Sequence, residues 1–468
     1  MRKAVTGSAI GAAIFLVILL LLYFFAPHTE GLEEEIGKHL AVVTVAPFIA
    51  ILLGIALIPL AFTHWWESNL NKGIIAAVCG LPMLIYFLGF VDDGGAALLS
   101  LSHEYYSFII LLFALFTIAG GIHLEGDLRA TPATNTTFLA IGGLLASFVG
   151  TTGAAMLLIR PLLRTNSERR NVVHIFVFFI FIVANIGGSL LPIGDPPLFL
   201  GFLRGVPFFW TLQLWKEWLA TVSLLLVLFY FWDLRAYKKE ALLDQLRDKT
   251  LVEPLTIRGK INFLFLGGVI ASIVLLTDHL AWWREPVMVA LAIVSYLLDK
   301  HYEARRKSPD DKSPREQNFF TFNAIVEVAV LFAGIFVTML PAICLLKAHG
   351  AEFGVDQPWQ FFWLTGGLSS FLDNAPTYLT FMSLGQGLNI CGGDVVCVAG
   401  VPVKILQAIS VGAVFMGANT YIGNAPNFMV KAIVDEAGVK MPSFLGYMKY
   451  SVGILIPTFL LVTLIFFL

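Results

Sequence analysis

The sequence predicts an all-α polytopic membrane protein, with about eleven transmembrane helices in two inverted-topology repeats. Each repeat carries a re-entrant hairpin and a broken helix. Three observations lead there. Of 468 residues, 58% are hydrophobic and only 13% are charged, and mean hydropathy is +0.82. That composition excludes soluble classes. The apolar runs are continuous rather than alternating, which excludes a membrane β-barrel. Finally, two long apolar segments are broken by Gly and Pro at corresponding places in the two halves, which is where transporters of this architecture build their binding site.

The apolar spans fall at 8–26, 41–62, 73–90, 105–123, 136–163, 172–204, 211–232, 262–278, 284–299, 320–346, 358–385, 400–433 and 446–467. Met1-Arg-Lys and the following run to Phe25 have a signal-peptide shape but lack a small-residue cleavage site, so the run reads as a retained first helix. Spans 136–163 and 358–385 are interrupted in their middles and read as hairpins that enter and leave on one side. Charge bias agrees. Arg164, Arg169 and Arg170 follow the first hairpin, and Lys/Arg-rich loops cover 233–260 and 300–316. Treating both spans as hairpins places all three loops in the cytoplasm. The acidic loop at 27–38 then lies outside, the N-terminus is cytoplasmic and the C-terminus is outside. The domains are 1–40 (first helix and outer loop), 41–232 (first repeat), 233–261 (cytoplasmic linker) and 262–468 (second repeat). Leu242, Leu243 and Leu246 among charges predict an amphipathic linker helix on the membrane surface. Cys79 and Cys344 read as small core residues, and the spacing in Cys391-Gly-Gly-Asp-Val-Val-Cys397 leaves open whether that pair is bonded.

The first broken stretch is Asn185–Phe199, NIGGSLLPIGDPPLF. Pro192, Pro196 and Pro197 remove amide donors, and Gly187, Gly188 and Gly194 loosen the backbone, so no continuous helix can form. Within a bilayer such backbone is tolerated only where protein buries it or a polar cavity receives it. Its counterpart is GANTYIGNAPNFMV at 417–430, with Ile193-Gly194-Asp195 against Ile422-Gly423-Asn424. Aligning the hairpin breaks on Ser147 and Ser370 sets Thr151 against Asn374.

Four breaks meeting at the midplane would converge on one cavity. The candidate ion or substrate ligands are Ser147, Thr151, Thr152, Asn185, Asp195, Ser370, Asp373, Asn374, Thr377, Asn419, Thr420 and Asn424, with Ser189, Ser369 and Asn427 nearby. This is a hard-oxygen set with two carboxylates, suited to a hard cation such as sodium and unsuited to a transition metal. No nucleotide motif is present, which argues against an ATP-driven pump, and no nucleophile set at membrane depth supports an enzyme. No cofactor is expected beyond the transported Na+ and H+, and no nucleic-acid partner. A carboxylate in a low-dielectric site holds a proton or a sodium ion but not both well, which is the requirement for exchange. Asp195 and Asp373 are the leading proton carriers, and Glu327, within a span and with no Lys near it in sequence, is either a third candidate or a helix–helix hydrogen bond. Each aspartate also precedes a helix start and would serve as a cap. Arg160 either snorkels to the cytoplasm or contacts a substrate anion.

At these residues the chain resembles the ion transporter superfamily, in particular NhaD-type sodium/proton antiporters and the arsenite-permease and citrate-transporter-like group. The resemblance rests on Gly150-Thr-Thr-Gly-Ala-Ala-Met-Leu-Leu-Ile-Arg-Pro161, Asn185-Ile-Gly-Gly-Ser189 with Pro192-Ile-Gly-Asp-Pro-Pro197, Ser370-Phe-Leu-Asp-Asn-Ala-Pro-Thr377, and Gly417-Ala-Asn-Thr420 with Ile422-Gly423. It implies a two-hairpin fold, a homodimer and an elevator-like step in a bacterial inner membrane. Divalent-anion symporters of the superfamily carry Ser-Asn-Thr at each hairpin tip. This chain has Val-Gly-Thr-Thr-Gly and Leu-Asp-Asn-Ala-Pro-Thr instead. Two aspartates would repel a di- or tricarboxylate, by roughly 3 kcal/mol for one such charge pair at about 6 Å. The expectation is therefore Na+ (or Li+) exchange for H+, with a Na+- or H+-coupled citrate-like symporter and an arsenite efflux permease as alternatives. The bilayer and small inorganic cations are the expected partners.

Overall fold

A computed structural model describes residues 31–241, 248, 252–306 and 311–468. The first apolar run at 8–26 and the predicted linker helix lie outside the described residues, apart from Asp248. The described chain is helical throughout, with two small two-stranded sheets. Among the described residues, eight helices are long and apolar enough to cross a membrane, so the chain is an all-α polytopic membrane protein.

The order begins with α1 (Leu32–His39), α2 (Ala46–Ala61), α3 (Asn69–Phe90), α4 (Gly94–Gly120) and β1 (His123–Asp127). The segment at 27–38, read as an acidic loop, thus contains a helix. Glu33, Glu34 and Glu35 occupy its first turn, with Lys38 and His39 in its last, and both sets complement the helix dipole. Helix α4 starts well before the span expected at 105, because Glu104 is not left facing lipid but is ion-paired.

The first hairpin is α5 (Pro132–Val149) and α6 (Thr151–Thr165), separated only by Gly150 at φ 81°. Thr131 caps α5 by accepting from Thr134 N, and Pro132 opens it. Next come α7 (Val173–Ile182), a tight turn at Ile186–Ser189 and α8 (Pro196–Leu203), which together are the first broken helix. Helix α7 is apolar all round, and its residues from His174 to Ile182 are all buried. Helix α9 (Trp215–Tyr237) runs past the predicted end of its span at 232. The reason is Asp233, which is fully buried and bonded by Arg169, His174 and Asn135. That cluster ties the base of the first hairpin to α9.

Strand β2 (Glu253–Arg258) pairs antiparallel with β1, a ribbon not expected from the sequence. Helices α10 (Ile261–Leu275), α11 (Arg284–Arg305) and α12 (Asn323–His349) follow. The second hairpin is α13 (Pro358–Ser369) and α14 (Asn374–Gln386). The second broken helix is α15 (Val403–Met416), a turn at Gly417–Asn419 and α16 (Ala425–Glu436), before the closing α17 (Phe444–Val462). Cys391 and Cys397 form a disulfide in the loop before α15, while Cys344 is buried and Cys79 partly so.

Candidate functional site

The four breaks meet. Within each broken helix the two sides of the unwound stretch touch through glycine. A Cβ on Gly194 would lie 2.2 Å from Gly188 O, and one on Gly423 would lie 2.6 Å from Gly417 O. No other residue fits either crossing. Each broken helix is also fastened to a hairpin by a serine. Ser147 Oγ donates to Gly187 O at 2.5 Å and accepts from Leu190 N at 3.1 Å. Ser370 Oγ donates to Gly366 O at 2.7 Å with Met416 O as a second, longer acceptor at 3.2 Å, and accepts from Asn419 Nδ2 at 2.9 Å. Gly187 and Leu190 correspond to Met416 and Asn419 in the register that pairs Ile193 with Ile422, so the two serines make matching contacts.

Asp195 sits at the centre and is 1% exposed. It precedes α8, but its side chain makes no capping bond; Pro196 and Pro197 at the helix start leave little for a cap to satisfy. The carboxylate turns instead toward the other breaks. Thr151 Oγ1 donates to Oδ1 at 3.1 Å, Asn424 Nδ2 donates to Oδ1 at 3.2 Å, and Asn374 Nδ2 donates to Oδ2 at 2.5 Å. Thr151 N also donates to Gly194 O at 2.8 Å, fixing hairpin to broken helix by backbone. The two pairs matched in sequence, Thr151 with Asn374 and Asp195 with Asn424, therefore form a single cluster.

Asn185 and Asn427 brace this cluster from behind. Asn185 donates to Asn427 Oδ1 at 2.6 Å and accepts from Asn424 at 3.2 Å, and Asn427 donates to Gly417 O and Thr420 O, each at 2.9 Å. Thr420 Oγ1 donates to Ser370 O and receives Gly423 N. Two amide oxygens remain free: Asn374 Oδ1 and Asn419 Oδ1 are buried without a hydrogen-bond partner. A buried acceptor with no donor is costly, and a cation relieves it.

Other predicted ligands serve differently. Asp373 Oδ1 accepts from Ala375 N at 3.0 Å, so this aspartate does cap α14, and Thr377 Oγ1 donates back to Asp373 O at 2.9 Å. Asp373 is partly exposed, close to Asp195 but outside its hydrogen bonds. Thr152 is half-buried on α6 and takes no part in the cluster's hydrogen bonds. Glu327, the third proton-carrier candidate, is paired outside the cluster. It lies in the first turns of α12, half-exposed, in an ion pair with Lys72 Nζ at 2.8 Å. Lys72 is remote in sequence, which is why the lone acid looked unpartnered. Arg160 lies over the Phe319 ring at 4.7 Å, away from the cluster.

A polytopic helical membrane protein in which four interrupted segments enclose one buried carboxylate has the build of a secondary transporter. Residues 37–467 match the family described as "Putative citrate transport", and the chain belongs to that family. A comparison with curated proteins finds no match.

Proposed function

We propose that the chain is a secondary active transporter exchanging Na+ (or Li+) for H+ across a bacterial inner membrane, with Asp195 as the carboxylate that alternates between the two. The single observation that carries this reading is the Asp195 cluster itself: a buried acid held only by neutral amide and hydroxyl donors, one of which, Asn374, also carries an unpartnered amide oxygen. A neutral shell leaves the acid's charge for a cation or proton to balance. Asn374 and Asn419 offer the further oxygens, Thr151 and Asn424 orient the carboxylate, and Asp373 is a second, more accessible acid. The halves 41–232 and 262–468 act as inverted repeats whose joint motion exposes the site to either face.

A second reading is a Na+- or H+-coupled citrate-like symporter. The family description favours it. Against it stands the acid at the centre, since a carboxylate substrate would meet Asp195 with no basic side chain hydrogen-bonded there. Proton flux in proteoliposomes carrying an internal pH dye separates the two. Lumenal alkalinisation on adding NaCl or LiCl, with no response to KCl or citrate, is the expected result. A response to citrate alone would replace exchange by symport.

A further inference from the structure

Asp195 begins α8, and Arg204 ends it. The helix has eight residues and is ~12 Å long, short enough to move as one rod. Its two ends are held by different parts of the molecule. The Asp195 end is gripped by α6, α14 and Asn424. The Arg204 end is gripped by α1 and α4, and α12 holds α1 in turn. Arg204 Nε donates to Glu104 Oε2 at 3.0 Å, and its Nη2 faces Glu33 Oε1 at 3.6 Å. Lys347 Nζ holds the other oxygen of Glu33 at 2.6 Å. Next to this set, Phe202 lies under the Arg284 guanidinium at 5.6 Å, and Arg284 pairs with Glu285, which accepts from Ser107 of α4.

Two features mark this as more than a structural ion pair. Helix α1 lies with its backbone directly on α12: a Cβ on Gly37 would sit 2.0 Å from Cys344 O. Glu33 is therefore presented to Arg204 from a rigid platform. Yet the grip is incomplete. Arg204 Nη2 is buried without a hydrogen-bond partner, its distance to Glu33 being that of an ion contact and no more. A buried donor held just short of its acceptor is costly in place and gains on a small shift of the helix.

We propose that Arg204 is a positioning residue: its grip on Glu104 and Glu33 sets where α8, and hence Asp195, stands relative to α1, α4 and α12, and releasing it is a step in exchanging access to the site. The proposal rests on the transporter reading above, but its primary test does not depend on the cargo. Nitroxides are placed at Phe209→Cys, just past α8, and Phe353→Cys, just past α12, in a Cys79→Ser, Cys344→Ser background of the full chain, and their distance is read by dipolar EPR. Glu33→Gln and Arg204→Gln each raise the population of a second distance by about threefold or more over the parent. Arg204→Lys, which keeps the charge, falls between. In flux assays Glu33→Gln alters the maximal rate by a similar factor and leaves half-saturation within about twofold, as a change in positioning rather than ligation requires. Glu33→Gln, on a peripheral helix, keeps the test open should Arg204→Gln fail to fold. Distance distributions of both variants superimposing on the parent would overturn the proposal, as would a Glu33→Gln effect confined to half-saturation. Absence of ion-driven flux in the parent would count against the transporter reading and leave the distance test standing.

Discussion

Asn374→Ala removes two things at once. It deletes the amide that donates to Asp195 Oδ2 at 2.5 Å, and the free Oδ1 that is buried without a partner. The first loss falls on the ionised carboxylate, the form that must receive sodium. A hydrogen bond to a charged group contributes ~1.5–3 kcal/mol, and each 1.4 kcal/mol is tenfold in an equilibrium. At fixed pH the variant should therefore need roughly ten- to hundredfold more Na+ for half-maximal exchange, before the lost ligand oxygen is counted. Asn424→Ala should do less, because Asn424 Nδ2 is divided among Ala184 O, Asn185 Oδ1 and Asp195 Oδ1, each at 3.2 Å. The assay is dye-reported proton flux in proteoliposomes titrated with NaCl, on variants matched for folded protein. Half-saturation of Asn374→Ala within twofold of the parent would refute the reasoning, since the shortest bond to the central acid would then have no bearing on cation binding.

Three further outcomes are expected. Asp373→Asn keeps a good helix cap while removing a charge, so it should retain Na+-dependent flux and lose less than Asp195→Asn does; Asp373→Ala should in addition lower stability by about 1 kcal/mol, read as a thermal shift in detergent. Glu327→Gln should leave transport per folded molecule unchanged while lowering Tm, because it strands Lys72, which is 3% exposed. Asp127, at the end of β1 outside the spans, is pushed up to about 6 by its burial and by Glu168, Asp248 and Glu253, against Arg164. Its pKa is thus higher in the fold than in the unfolded chain, so its penalty grows as pH rises from about 4 to about 6 and is constant above. Asp127→Asn should flatten the fall in Tm across that window.

What the sequence disclosed and what it hid divide along physical lines. The four breaks were legible because proline and glycine act locally: Gly150, Pro196 and the Gly188–Gly194 crossing each dictate backbone whatever surrounds them. Asp195 stood out because an acid at membrane depth demands an explanation. The pairing of Thr151 with Asn374 was visible as an internal match, although their meeting on one carboxylate was not. The two aspartates looked alike in sequence, because both precede a helix; only the direction of each side chain separates the cap, Asp373, from the centre of the cluster, Asp195. Long-range pairs were out of reach. Nothing near Glu327 points to Lys72, and nothing near Arg204 points to Glu33 and Glu104. Arg204 did carry one signal, a lone cation closing the apolar run Leu198–Leu203. The β1–β2 ribbon escaped notice because Gly126 and Pro254 interrupt both strands and the first hairpin, the first broken helix and α9 separate the partners in sequence.

Asp195→Asn in proteoliposomes tests the central claim most directly, since the amide keeps the side chain's size and loses only its charge and its ability to exchange a proton. The account predicts that the parent alkalinises its lumen on addition of NaCl or LiCl and that the variant, folded and inserted to the same level, shows no Na+-driven proton movement. Na+-dependent proton flux persisting in Asp195→Asn would contradict it and remove this carboxylate from the exchange.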